Sequence, residues 1–308
     1  MRYAPIIVFA YNRADHLRKT LNALAGNDLA SQSELYIYCD GAKSEAVEIQ
    51  RKAIEETRAV AHAQHWAKET HVVERERNYG LADNIVSAVT EIVNQYGRVI
   101  VFEDDIVCTR GTLTYLNDAL ELYQDDEKVM HISAYMYPHR QKLPTTFFYD
   151  SPYPAGGWAT WARAWKYYNG NTQELVDYWS RDWKTFDIMG QDFLSKQLLM
   201  NLDGRLKTWY IKWYASMHKM GGLCLFPGKS MSNNIGWDDT GETSNATNRY
   251  TNSVLADYTE VRRIPIIRNH TAYRIVRVWY SGHWYSKRYR IKCYNVLLKC
   301  FGFKTIIK

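Results

Sequence analysis

The ten residues VIVFEDDIVC, Val99 to Cys108, decide the fold. Val99 to Phe102 are apolar and β-branched or aromatic, the composition of a buried strand. Glu103, Asp104 and Asp105 then follow without a break. Adjacent carboxylates repel, and burying one unpaired costs several kcal/mol. A solvated turn after a strand is one reading of such a triplet. Its place in the chain favours another, because this is the fourth strand of an alternating series.

Upstream, PIIVFAY (5–11), ELYIYCDG (34–41) and ETHVVER (69–75) read as strands. Amphipathic stretches fill the gaps: about 13–25, about 44–68, and 81–96, where Ile85, Val89, Ile92 and Val93 share a face. A further helix is expected at 111–124. This alternation predicts an α/β fold with a mainly parallel sheet and helices on both faces. The strands end in AYNR, CDG, ERNYG and EDD, so polar residues gather at the carboxyl ends, where open α/β sheets bind ligands. Beyond residue 130 the alternation loosens, Trp and Tyr become dense, and an acceptor-shaped extension of the same core is expected.

Composition narrows the classes. The chain has 308 residues, 46% hydrophobic, and no apolar run of about 18 residues, so a transmembrane helix is not expected. Its five cysteines (Cys39, Cys108, Cys224, Cys293 and Cys300) are scattered and odd in number. That fits a reducing cytoplasm and no zinc-ligand spacing. Residues 262–308 hold twelve of the 39 Lys and Arg and none of the 33 Asp and Glu, so this segment carries +12 and the rest −6 of the net +6. Interleaved with Trp279, Trp284, Tyr285, Tyr289 and Phe301, it has the composition of a surface-bound segment on anionic membrane. The expected division is a core over 1–257, with a nucleotide-sugar half at 1–125 and an acceptor half at 126–257, and a basic aromatic tail over 258–308. No nucleic-acid module is present, and nucleic acid is not an expected partner.

The ordered strand-end motifs, VFAYNR on the first strand and VFEDDIV about ninety residues later, resemble a GT-A-fold (Rossmann-like) glycosyltransferase. The resemblance is to the N-acetylglucosaminyltransferase I type and related bacterial sugar transferases, which use Glu-Asp-Asp where most relatives use Asp-x-Asp. It covers about residues 5–245. It implies a UDP-linked sugar donor, Mn²⁺ or Mg²⁺ as cofactor, and a glycan or lipid-linked acceptor in cell-surface polysaccharide or lipopolysaccharide synthesis. The enzyme would be cytoplasmic, or peripheral on the inner face of the membrane.

Carried onto this chain, the resemblance implies a nucleotide pocket walled by Phe9, Ala10, Tyr11, Asn12 and Arg13, with Arg13 near the diphosphate. Asp40 would accept a hydrogen bond from uracil, and Asn78 would sit at the same pocket. Asp105 would bind the metal, while Glu103 and Asp104 contact sugar and ribose. Arg13 capping the first helix, and Asp40 and Asn78 serving turns, are the plainer readings of each residue alone. In AGGWATWARAW (155–165) the family's Gly-rich loop lies beside the donor sugar. Gly157 permits close backbone approach, and Trp158 either faces the sugar or joins Trp161 and Trp165 in the core.

One departure concerns the general base of an inverting transfer. The family draws it from a Trp-Asp-Asp-Trp-like segment, but the matching TWYIKWY (208–214) has no carboxylate. The remaining candidates are Asp238, Asp192, Asp203 and Asp239, and a retaining mechanism stays open. A sugar-phosphate nucleotidyltransferase would need a Gly-rich phosphate loop after the first strand, which AYNRADHL does not supply. A non-catalytic carbohydrate-binding protein would leave the triplet unexplained.

Overall fold

A computed structural model describes residues 3–153, 155–188, 192–238, 247, 250–252 and 254–280. The expected alternation is present: β1 (Ile6–Ala10), α1 (Ala14–Ala25), β2 (Glu34–Cys39), α2 (Glu48–His62), β3 (Glu69–Glu74), α3 (Leu81–Tyr96) and β4 (Arg98–Glu103). There follow β5 (Ile106–Cys108), α4 (Thr112–Leu122), β6 (Val129–Ser133), β7 (Thr146–Tyr149), β8 (Trp158–Trp161) and α5 (Ala162–Trp165). The series closes with α6 (Thr172–Trp179), α7 (Trp183–Phe186), α8 (Phe193–Leu202), α9 (Tyr210–Lys219), β9 (Leu223–Pro227) and β10 (Ser232–Asn234). Residues 270–280 are helical.

Eight strands form one sheet in the order β3-β2-β1-β4-β8-β6-β9-β7. The first four are mutually parallel, as the alternation requires. The apolar runs of β1 and β4 are buried on both faces, as central strands covered by helices on either side must be, while β3 at the sheet edge is largely open. α1 contributes Leu17, Leu21 and Leu24, and α3 contributes Ile85, Ala88, Val89, Ile92 and Val93. The half boundary expected near residue 125 does not divide the sheet, because β8 inserts antiparallel between β4 and β6.

That insertion positions the site. In the antiparallel register Val101 pairs with Trp158, so the start of β8 lies beside the end of β4. Gly157 has a φ of +77°, and a Cβ there would run into the Phe102 ring, which fits glycine on both counts. The tryptophans at 158 and 161 are strand residues, although their spacing suggests a helix. Trp158 packs between His131 and Trp209, with ring centroids 5.2 and 5.0 Å away, and Trp161 donates to the Leu120 carbonyl on α4.

Residues 258–280 pack along the core. Ala272, Ile275 and Val276 are buried in it. Arg268 forms a two-pronged ion pair with the buried Asp150 at 2.5 and 2.7 Å, and Arg263 pairs with Asp126 at 2.7 Å. Arg262 pairs with Glu260. Three of the segment's twelve positive charges are thus engaged within the fold, and residues 281–308 lie outside the described residues. Among the described residues, no helix is long and apolar enough to cross a membrane. Cys39, Cys108 and Cys224 are buried and unbridged.

Ending the chain at residue 257 should therefore destabilise it. Each buried Ile or Val contributes about 1.5–3 kcal/mol, so a loss of at least 3 kcal/mol and a Tm lower by roughly 6–12 °C are expected. Thermal unfolding of the truncated and full-length chains checks this. An unchanged Tm would mean that the segment does not support the core.

Candidate active site

The triplet sits where β4 ends and the chain turns into β5. Asp104 and Asp105 are almost fully buried, and Glu103 is half-buried. Arg13, at the entry of α1, answers them: one guanidinium nitrogen lies 2.7 Å from Asp104 Oδ1 and 2.7 Å from Asp105 Oδ2. The Tyr11 backbone N–H also donates to Asp104. Parallel pairing of β1 with β4 brings these two strand ends together, Phe9 standing beside Glu103.

One guanidinium does not balance three carboxylates. Burial, then repulsion from Asp105 and Asp104, pushes Glu103 up to about 8. Burial also raises Asp104, to about 7, although Arg13 opposes the shift. Burial works against the charge of Arg13, but Asp104 and Asp105 outweigh it and hold the arginine above its usual value. The Arg13 Nη1 atom is buried with no hydrogen-bond partner among the described residues. Excess buried negative charge on hard oxygens beside an unsatisfied cationic donor suits a divalent cation bearing phosphates. Among the described residues, only Glu34, Glu69 and His71 gather three ligand atoms within 4.8 Å, and they lie on β2 and β3 rather than at the triplet. A cation at the triplet would therefore need ligands from its substrate.

The short ribbon of β5 and β10 supplies a partner that sequence reading missed. It pairs Asn234 with Ile106, so Asn234 Nδ2 donates to Asp105 Oδ1 at 3.2 Å and the Ile235 N–H donates to the Asp105 carbonyl at 2.8 Å. Gly236 then presses on the triplet, where a Cβ would collide with the Asp105 carboxylate and the Arg13 guanidinium. Asp238 reaches His16 on α1, with Nε2 and Oδ2 3.0 Å apart. His16, one helical turn beyond Arg13, is a second residue the sequence did not single out. A cleft of about 710 Å³ opens here between α1 and α2, lined in part by Asn12, Arg13 and His16.

The other expected positions divide. Asp40 follows β2 and is saturated: Oδ1 accepts from the N–H groups of Gly41 and Tyr79, and Oδ2 from the Gly80 N–H and Asn78 Nδ2, at 2.8–3.2 Å. Asp40 and Asn78 therefore build the 78–80 loop together, and Asp40 in this state offers uracil no spare oxygen. Phe9 and Ala10 are buried, with Phe9 stacked on Tyr38 at 5.8 Å, so their side chains belong to the core rather than to a pocket wall. Trp158, 1% exposed, likewise presents no face to a sugar. Tyr11 and Asn12 are half-buried at the rim. Asp192 is exposed at the start of α8 and faces Lys196 at 3.7 Å, and Asp203 pairs with Arg205; neither contacts the triplet. Asp239 lies outside the described residues. Trp209 and Trp213 of the 208–214 segment are buried, so that segment fills the core.

The chain matches the GNT-I family over residues 1–187, more than half its length. No curated protein matches it. Solved structures with a similar arrangement include TarS from S. aureus, at 19% identity and a TM-score of 0.28, covering 47% of this chain and 23% of that one. The galactosyltransferase LgtC, solved with donor and acceptor sugar analogues, is 11% identical with a TM-score of 0.35, covering 57% of this chain and 65% of that one. UDP-glucose pyrophosphorylase is also 11% identical, with a TM-score of 0.37, covering 73% and 90%. The chain thus spans about a quarter of TarS and just under two thirds of LgtC. Likeness this distant does not separate a transferase from a pyrophosphorylase, and the family match carries the assignment.

The charge excess has a measurable consequence. A carboxyl whose folded pKa lies above its unfolded value binds more protons folded than unfolded, so its contribution to stability falls as pH rises through that interval. For Glu103 the interval runs from 4.5 to about 8. Glu103→Gln should match wild type near pH 4.5 and be more stable by at least about 1 kcal/mol above pH 8. Thermal unfolding across that range, without metal or nucleotide, checks it. A difference that does not vary with pH would contradict the shift.

Proposed function

The chain belongs to the GNT-I family; from that premise we propose that it is a glycosyltransferase taking its sugar from a nucleotide sugar, that this donor is UDP-linked, that a divalent cation assists at Asp105, and that the acceptor is a glycan or a lipid-linked saccharide. The observation carrying this reading is a run of three carboxylates with one guanidinium, which pairs with two of them and has a buried nitrogen without a hydrogen-bond partner among the described residues. A Mn²⁺ or Mg²⁺ ion, when bound, would supply Lewis-acid neutralisation of the leaving diphosphate.

The chain's own residues have distinct tasks in this scheme. Arg13 turns its unsatisfied nitrogen to a phosphate oxygen, a charge-assisted contact stronger than a neutral hydrogen bond. Asp105 is oriented by Asn234 and is the carboxylate offered to the cation. Glu103 and Asp104 face the sugar and ribose hydroxyls. The Asp40–Asn78 loop and the backbone of residues 9–13 form the nucleotide side of the site. Asp238, on the rim and paired with His16, takes the proton of the acceptor hydroxyl, the role a general base plays in inversion. The basic segment at 262–308 supports attachment to the inner face of the cytoplasmic membrane. Arg268, committed to the buried Asp150, is the charge of this segment least available to lipid.

Thermal shift of the full chain with UDP and Mn²⁺ tests the proposal. UDP at a hundred times its Kd should stabilise wild type by about 2.7 kcal/mol when metal is present and far less in a chelator. Asp105→Asn should lose the metal-dependent part. Equal metal-dependent stabilisation of Asp105→Asn would refute the assignment of Asp105.

A further inference from the structure

Between the residues that press on the triplet and the residue that reaches α1 stands Trp237. Its chain neighbours are fixed on both sides: Asn234 and Gly236 against Asp105 and Arg13, and Asp238 against His16. Its backbone carbonyl accepts from the Thr247 N–H at 3.0 Å. The indole stacks on Tyr250, with centroids 4.2 Å apart and planes within 10°. Tyr250 in turn packs against Trp279, which packs against Tyr137. An aromatic column from the helix at 270–280 thus holds the indole in place. Its Nε1 is nevertheless buried with no hydrogen-bond partner among the described residues.

That combination is informative. An indole N–H is a donor only, and leaving it buried and unpaired costs about 1–3 kcal/mol. Positional freedom does not explain the missing bond, since backbone, stacking and both neighbours fix the ring. No described residue completes it, and a bound group that does must present an acceptor oxygen. Trp237 adjoins Gly236, which presses on Asp105 and Arg13, where the proposed reading seats the donor's diphosphate, so the nearest candidate oxygens are those of a phosphate or of the sugar joined to it. The proposed reading assigns the phosphates to Arg13, which leaves the sugar to Trp237.

We propose that Trp237 is a specificity-determining residue whose indole N–H donates to an oxygen of the donor's sugar. The inference rests on the reading of the triplet as a donor site and extends it to recognition of the transferred group. A site built to bond one oxygen discriminates against analogues that lack or invert it. Trp237 thereby helps select the sugar, while Asp105 and Arg13 hold the part common to all such donors.

Trp237→Phe keeps an aromatic ring on Tyr250 and removes only the N–H. Titration calorimetry on full-length protein with Mn²⁺ would compare UDP with UDP-glucose, UDP-galactose, UDP-N-acetylglucosamine and UDP-N-acetylgalactosamine. Wild type should bind at least one of these more tightly than UDP. Trp237→Phe should bind UDP as wild type does and lose roughly 5- to 100-fold in affinity for the preferred nucleotide sugar. Equal losses for UDP and nucleotide sugar would place the N–H on a phosphate or in the support of the 234–238 segment, and overturn the proposal. Unchanged affinity for every ligand would overturn it too, as would wild type preferring no sugar over UDP. Wild type that fails to bind UDP at all would instead defeat the donor-site reading on which the inference stands.

Discussion

The pairing of Arg13 with Asp104 and Asp105 is the interaction on which the rest of this molecule depends. A buried ion pair is not in itself a source of stability, because desolvating the partners offsets their attraction. Here the imbalance is larger than usual, with three carboxylates in a row served by one guanidinium held between two of them. A chain selected only for stability would not keep this cluster. Neighbouring segments help to hold it: the Tyr11 N–H donates to the Asp104 carboxylate, the Asn234 amide to the Asp105 carboxylate, and the Thr20 hydroxyl to the Asp104 carbonyl.

The architecture explains how residues so far apart reach one point. Parallel pairing of β1 and β4 sets Arg13 and the triplet at adjacent strand ends. β8, running the other way, returns the Gly156–Gly157 turn to the same edge. The β5–β10 ribbon lays residues 234–238 across the triplet and carries Asp238 to α1. Apart from the Asp238–His16 contact, these connections are backbone pairings, so the site is positioned largely by sheet geometry, which favours the fixed dipoles that stabilise developing charge.

The four parallel strands and their helices were legible in the sequence because their apolar periods are strong and their ends carry polar residues. The acidic triplet and Arg13 were legible for the same reason, since both are strand-end residues. What escaped lies in contacts between distant segments. Asn234 meets Asp105 across 129 positions through a ribbon of three-residue strands, too short to leave a period. His16 looked like any polar residue of an amphipathic helix until Asp238 arrived beside it. Trp158, Trp161 and Trp165 mimic helical spacing, yet the first two belong to a strand whose alternate faces are both buried. Asp40 was recognised as a strand-end carboxylate, but its saturation by the 78–80 loop depends on backbone N–H groups that no residue pattern reveals. In the basic segment, composition counts Arg268 as one more surface charge, and only the fold reveals Asp150 beneath it.

The most direct test of this account is a crystal structure with Mn²⁺ and UDP, with the ion located by its anomalous signal. The account predicts a Mn²⁺ peak at oxygen-ligand distance, roughly 2.0–2.3 Å, from an Asp105 carboxylate oxygen, bridged to the diphosphate, with an Arg13 nitrogen on a phosphate oxygen. Mn²⁺ and UDP bound away from residues 103–105, with Arg13 still closed on Asp105, would contradict it.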